Sequence, residues 1–176
     1  MVPRTLYLER IRPFYDSPLI KVIVGVRRCG KSVLLQQIAS ELGREAPASL
    51  IVFIDFDDYA NRHLLDPEQL HEHIISQIDK HPGQKAYLLF DEIQNVPDFE
   101  LVINSLNNSS RASIFLTGSN SKLLSGELAT KLGGRTLSFR MMPFNFREFL
   151  QFKEDELRPG VFSGHLDPDA LLPLYL

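Results

Sequence analysis

The sequence predicts an α/β domain built on a parallel five-stranded sheet flanked by helices. Three observations predict it. Apolar or β-branched runs at 19–24, 50–56, 86–90, 113–117 and 136–141 alternate with stretches whose apolar residues recur at helical spacing. The first run leads straight into a glycine-bounded loop, Gly25-Val26-Arg27-Arg28-Cys29-Gly30-Lys31-Ser32. The third ends on two adjacent carboxylates, Asp91 and Glu92.

The chain has 176 residues, 44% hydrophobic and 23% charged, which suits one core with a short appendage. We divide it into a lead-in segment (1–18), the core (19–152) and the start of a C-terminal region (153–176). A net charge of -3 gives no global attraction to nucleic acid or to an anionic membrane. No apolar run approaches the roughly 20 residues that a spanning helix needs. The N-terminus lacks an apolar signal core, and the single Cys29 excludes an internal disulfide. A reducing, cytoplasmic setting is the expectation.

In the lead-in, Leu6, Leu8, Ile11 and Phe14 suggest a short packed helix punctuated by Pro13 and Pro18. Tyr7 is expected in the core and Arg4 in solvent, although this segment often lies beside the base of a bound nucleotide.

The loop at 25–32 fits G-x-x-x-x-G-K-[ST], a phosphate-binding pattern that carries meaning between a strand and a helix. Leu19 to Val24 supply the strand; Val33, Leu34, Leu35, Ile38, Ala39 and Leu42 supply the helix, with Gly43 placed to end it. Glycines let the backbone approach a phosphate, and successive N–H groups at a helix start converge on the anion. Gly25, Val26, Arg27, Arg28, Cys29, Gly30, Lys31, Ser32 and Val33 are therefore the expected nucleotide cradle. Lys31 is assigned to the β- and γ-phosphates and Ser32 to Mg²⁺.

The run 50–56 reads as a strand buried on both faces. Asp55, Asp57 and Asp58 after it are explained more cheaply by an acidic turn than by a metal site. Asp66-Pro67-Glu68 has the form of a helix start, and the helix extends to about Lys80. His71 and His73 on it point to different faces and do not form the H-E-x-x-H zinc arrangement. Ala86 to Glu92 reads as a buried strand delivering acids, the Walker B pattern: Asp91 for Mg²⁺ opposite Ser32, Glu92 to polarise an attacking water. Asp98 is placed to cap a helix through about Leu106, followed by a turn at 107–110.

The fourth strand, Ser113 to Thr117, leads to Ser119 and Asn120, candidates for sensing the γ-phosphate, with Thr117 behind them. A turn or helix-cap role explains either residue equally well. Arg135 at the entry to the fifth strand is a candidate arginine finger toward a neighbouring subunit, with a solvated arginine as the alternative. Pro143 breaks that strand, and Phe144 to Leu150 begin an amphipathic helix whose aromatics are expected against the sheet.

The segments Gly-Val-Arg-Arg-Cys-Gly-Lys-Ser, Leu-Phe-Asp-Glu-Ile-Gln at 89–94, Thr-Gly-Ser-Asn-Ser-Lys-Leu-Leu at 117–124, Gly-Gly-Arg at 133–135 and Pro-Phe-Asn-Phe-Arg-Glu-Phe-Leu at 143–150 occur in this order. Together they resemble the prokaryotic AAA-type ATPases, whose ATPase domain usually precedes a DUF4143 domain. The resemblance implies an ATP- and Mg²⁺-dependent domain with an AAA-like parallel sheet and a C-terminal partner domain; it says little about the task. Such proteins continue beyond 176 residues, and the apolar end Leu171 to Leu176 suggests a fragment. A nucleotide kinase is disfavoured by the Asp-Glu pair, and a GTPase by the lack of Asn-Lys-x-Asp. A non-catalytic, nucleotide-gated module for DNA or protein stays open.

Overall fold

The computed structural model describes residues 3–109, 112–118 and 126–157. Five strands form one sheet: β1 (Ile20–Gly25), β2 (Leu50–Asp55), β3 (Ala86–Asp91), β4 (Ser113–Gly118) and β5 (Thr136–Met141). Their order is β2-β3-β4-β1-β5, and every pair is parallel. Six helices are described: α1 (Thr5–Ile11), α2 (Lys31–Glu45), α3 (Pro67–Asp79), α4 (Phe99–Ser109), α5 (Gly126–Lys131) and α6 (Phe146–Leu157). The predicted α/β class is what forms.

Alternation along the strands explains the layers, because successive side chains leave opposite faces of a pleated sheet. Val22, Val24, Leu88, Phe90, Ile114 and Leu116 share one core with Leu70 and Ile74 of α3 and Val102, Ile103 and Leu106 of α4. On the other face Ile23, Leu89 and Phe115 pack with Leu8 and Ile11 of α1 and Leu34, Leu35 and Ile38 of α2. β1, β3 and β4 are buried on both faces and read as unbroken apolar runs for that reason.

Several elements differ from the sequence expectation. The run at 50–56 is not a central strand: β2 is an edge strand, half-buried at all but Ile54. Gly43 does not end α2, which continues to Glu45; a Cβ at 43 would meet Ile51 of β2 at an ordinary contact distance of 3.8 Å. α4 runs through Ser109, so the expected turn at 107–110 is largely helix. Asp98 directly precedes α4, as expected, with φ 48° and its carbonyl accepting from the Leu101 N–H at 2.9 Å. Short 3₁₀ turns at Arg12–Phe14, Tyr59–Leu65 and Ile93–Asn95 were not anticipated. Asp66 caps α3 as expected, its Oδ1 accepting from the N–H groups of Glu68 and Gln69, each at 3.0 Å.

Because β4 lies between β1 and β3, the loop after β1 and the acids after β3 open onto one crevice at the carboxyl edge of the sheet. Open α/β sheets bind ligands at such a place, where neighbouring strands are not consecutive in sequence.

Candidate nucleotide-phosphate site

The loop leaves β1 at Gly25, where a side chain would collide with the Met141 carbonyl oxygen and come within 2.8 Å of Cys29 Sγ. Only glycine allows β1 and β5 to close so tightly at this point. Arg28 and Gly30 take left-handed conformations, φ 65° and 93°, turning the chain back into α2. Gly30 is the N-cap of α2 and has no side chain to cap it, so first-turn N–H groups are left for an outside acceptor.

Lys31 is only 4% exposed. Its Nζ donates to the Val26 carbonyl at 3.3 Å and lies 3.6 Å from Glu92 Oε1. Asp91 is 1% exposed and accepts hydrogen bonds from the hydroxyls of Ser32 and Thr117. Burial pushes its carboxyl above the ordinary range; the two hydroxyls oppose that shift, while Asp55 and Glu92 add to it. Asp55 stands directly beside Asp91 in strand register.

Glu92 sits at φ 51° in the left-handed region. A non-glycine residue there costs on the order of 1–2 kcal/mol, and such strain gathers at functional sites. Its N–H donates to Thr117 Oγ1 at 3.1 Å, and its carboxylate accepts from Gln94 Nε2. Gln94 Oε1 is buried with no hydrogen-bond partner among the described residues.

The donor set fits Mg²⁺ with nucleotide phosphates. A hydroxyl and a carboxylate are hard oxygen ligands, suited to an ion that takes few protein ligands and completes its shell with phosphate and water. Such a charge beside Asp91 would favour its ionised form and so oppose the rise that burial causes. Among the described residues no group of three His, Cys, Asp or Glu side chains forms a metal cluster of its own.

Of the residues expected from sequence, Lys31, Ser32, Asp91 and Glu92 meet at the crevice. Val26 contributes its carbonyl to Lys31; Cys29 is buried beneath the loop. Ser119 and Asn120 lie outside the described residues. Arg135 stands at the amino end of β5, its carbonyl accepting from Ile20 and its guanidinium donating to Asn108 Oδ1 at 2.7 Å. It does not enter this chain's own phosphate site. A groove of about 1210 Å³ lies at that same amino edge, lined in part by Asp16, Lys85, Asn108 and Arg135, away from the loop.

Asp55, Asp57 and Asp58 form the expected turn. Asp55 Oδ1 accepts from Asp57 N, and Asp58 Oδ1 from Ala60 N, both at 2.9 Å. His71 Nε2 forms a hydrogen bond with Ser105 Oγ at 2.9 Å. Two residues have greater parts than the sequence suggested. Thr117 joins Asp91 to Glu92; a polar residue closing a buried strand was its one visible signal. Arg4, expected in solvent, is 1% exposed and hydrogen-bonded to the loop.

Residues 17–150 match the AAA domain family. The chain belongs to that family. Two curated relatives are uncharacterised proteins. One, from Haemophilus influenzae, is 40% identical over 154 residues, 87% of this chain and 38% of that protein. The other, from Methanocaldococcus jannaschii, is 40% identical over 134 residues, 76% of this chain and 29% of that protein. The AAA domain thus spans well under half the length of these relatives.

Among solved structures, the fold of this AAA domain is similar to the Aeropyrum pernix ORC1 protein in complex with DNA. The TM-score is 0.66 at 16% identity, covering 99% of this chain and 54% of that one. It is also similar to the Aeropyrum pernix ORC2 protein in its ADP form, with TM-score 0.61 and 14% identity over 95% and 53% of the two chains. PCH-2 of C. elegans gives 0.60 at 17% identity, over 94% and 47%. These likenesses are of fold, that of P-loop NTPases with a parallel five-stranded sheet. Among the described residues no helix is long and apolar enough to cross a membrane.

Proposed function

We propose that this AAA domain binds ATP with Mg²⁺ and hydrolyses it. The observation that carries the reading is the convergence of a buried lysine at a glycine-turned helix start with two differently placed carboxylates. Asp91 is held by two hydroxyls; Thr117 holds the Glu92 N–H, and Gln94 its carboxylate.

The loop amides and Lys31 would take the phosphates, Lys31 exchanging its long contact with Glu92 for the β- and γ-oxygens. Ser32 and Asp91 would hold Mg²⁺, whose charge would offset that gathering on the phosphoryl oxygens in transfer. Glu92 would orient a water and accept its proton as Lys31 turns to the phosphates, while Gln94 holds the carboxylate's second oxygen. Ser119 or Asn120 is proposed as the γ-phosphate sensor, and Arg135 as the arginine offered to a neighbouring subunit. Its relatives are more than twice as long as the matched stretch, and we propose that this domain acts in the cytoplasm ahead of a C-terminal domain.

Calorimetric titration of Mg²⁺–ATP and Mg²⁺–GTP into wild type, Lys31→Ala and Glu92→Gln tests the reading, paired with single-turnover hydrolysis. ATP should be preferred. Lys31→Ala should weaken binding by about tenfold to a hundredfold, the worth of a lost charge-assisted hydrogen bond or two. Glu92→Gln should bind as wild type and hydrolyse about 10²–10⁴-fold more slowly. Tight binding with no turnover in wild type would leave a nucleotide-gated module, and no binding of either nucleotide would sink the proposal.

A further inference from the structure

Arg4 carries a permanent charge into a position that is only 1% exposed. A buried charge is costly unless its donors are matched, and here each goes to a different segment. One terminal nitrogen donates to the Cys29 carbonyl of the phosphate loop at 2.7 Å, and the other to the Met142 carbonyl beyond β5 at 2.8 Å. Nε donates to Glu148 Oε1 on α6 at 3.1 Å. The guanidinium carbon lies over the rings of Tyr7 and Phe144, 4.9 and 5.0 Å from their centroids. The residue's own N–H donates to Gln37 Oε1 of α2 at 3.0 Å, so its backbone is fixed as well.

The contact with Cys29 has a consequence one atom further along. A trans peptide is planar with its C=O and N–H pointing opposite ways, and this chain has no cis bonds among its described residues. Holding the Cys29 oxygen toward Arg4 therefore turns the Gly30 N–H away from it. Gly30 tolerates the arrangement because a side chain there would already press on the arginine, at 3.2 Å. On the far side, Glu148 Oε2 accepts from Asn145 N while Asn145 Oδ1 accepts from Glu148 N, both at 2.9 Å. That reciprocal pair is the capping box of α6. One carboxylate thus serves both the helix start and the arginine.

We propose that Arg4 is a positioning residue for the phosphate loop, and that the Arg4–Glu148 pair couples the Gly30 peptide to the first turn of α6. Its effect on nucleotide affinity rests on the ATP reading above; its effect on the loop does not. Arg4→Lys keeps the charge but cannot serve three acceptors with one geometry. Glu148→Gln retains an acceptor for the helix cap and removes only the ionic partner.

The test is amide NMR on the nucleotide-free chain followed by Mg²⁺–ATP titration. In both variants the Gly30 and Lys31 amides should shift, with Gly30 falling from a rigid order parameter of about 0.85 toward about 0.6, while β3 amides stay unchanged. ATP affinity should drop about tenfold in Arg4→Lys and in the same direction in Glu148→Gln. A purely structural role would lower the melting temperature and leave the loop amides and affinity as in wild type, which overturns the proposal. Should Arg4→Lys fail to fold, Glu148→Gln decides alone. If wild type binds no ATP, the function proposed above falls, and the loop amides still decide this one.

Discussion

Asp91, the proposed Mg²⁺ ligand, is a carboxylate that burial disfavours. Its raised pKa means the folded state binds a proton that the unfolded chain releases, so stability falls as pH rises through the folded value. At neutral pH the ionised form is penalised by burial. Asp91→Asn removes that penalty while keeping the shape that Ser32 and Thr117 pack against. We expect its melting temperature at pH 7 to exceed wild type by a few degrees without ligand, and Mg²⁺ to add nothing to its ATP affinity. A lower melting temperature in the variant would show that the hydroxyl contacts outweigh the burial cost. The convergence of Lys31, Ser32, Asp91 and Glu92 was legible in the sequence because each one's placement depends on spacing within a few residues of a strand end. Arg4 was not, because its partners stand 25, 138 and 144 residues away, and a lone arginine near a terminus ordinarily faces water.

At the scale of elements, local chemistry and tertiary position part company. Asp66-Pro67 was readable as a helix start because capping is a contact between near neighbours. Asp66→Ala removes an acceptor shared by two N–H groups and should cost about 1 kcal/mol, a fall of roughly 2–4 °C for a domain of this size. Thermal unfolding without nucleotide measures it, and an unchanged midpoint would mean that α3 is held by Leu70 and Ile74 alone. The edge position of β2 was not readable. Its apolar run equals that of a central strand, and only the pairing order shows that one side lacks a neighbour. Gly43 misled for a related reason: a glycine near a predicted helix end suits a left-handed stop, yet α2 runs past it to Glu45.

Across the whole molecule, the sheet buries an ionisable group toward each end of its strands, Lys21 at the amino end and Asp91 at the carboxyl end. Lys21, on β1 but toward the amino edge, is completely buried; its Nζ donates to Ser113 Oγ at 2.6 Å and to the Ser17 carbonyl at 3.1 Å, over the ring of Phe115. Burial pushes its pKa down to about 7, with the nearby Lys85 charge adding to the fall and Asp16 opposing it. A lysine in the unfolded chain keeps its proton to about pH 10.4. Between pH 7 and 10 the unfolded state therefore binds more protons, and this group makes stability rise with pH. The rise is bounded at about 1.4 kcal/mol per pH unit for one proton. Above pH 10 the trend turns, because Tyr15 and Tyr87, both pushed up chiefly by burial, resist an ionisation that the unfolded chain undergoes. Urea unfolding at pH 7, 8 and 9 should show increasing stability in wild type. Lys21→Met should be more stable at pH 7 and lose most of that slope, since Ser113 keeps its bond to the Tyr15 carbonyl. Parallel profiles for the two proteins would mean that the hydrogen bonds from Nζ hold Lys21 charged in the fold, and that the amino edge tolerates a buried cation as fully as the carboxyl edge tolerates a buried acid.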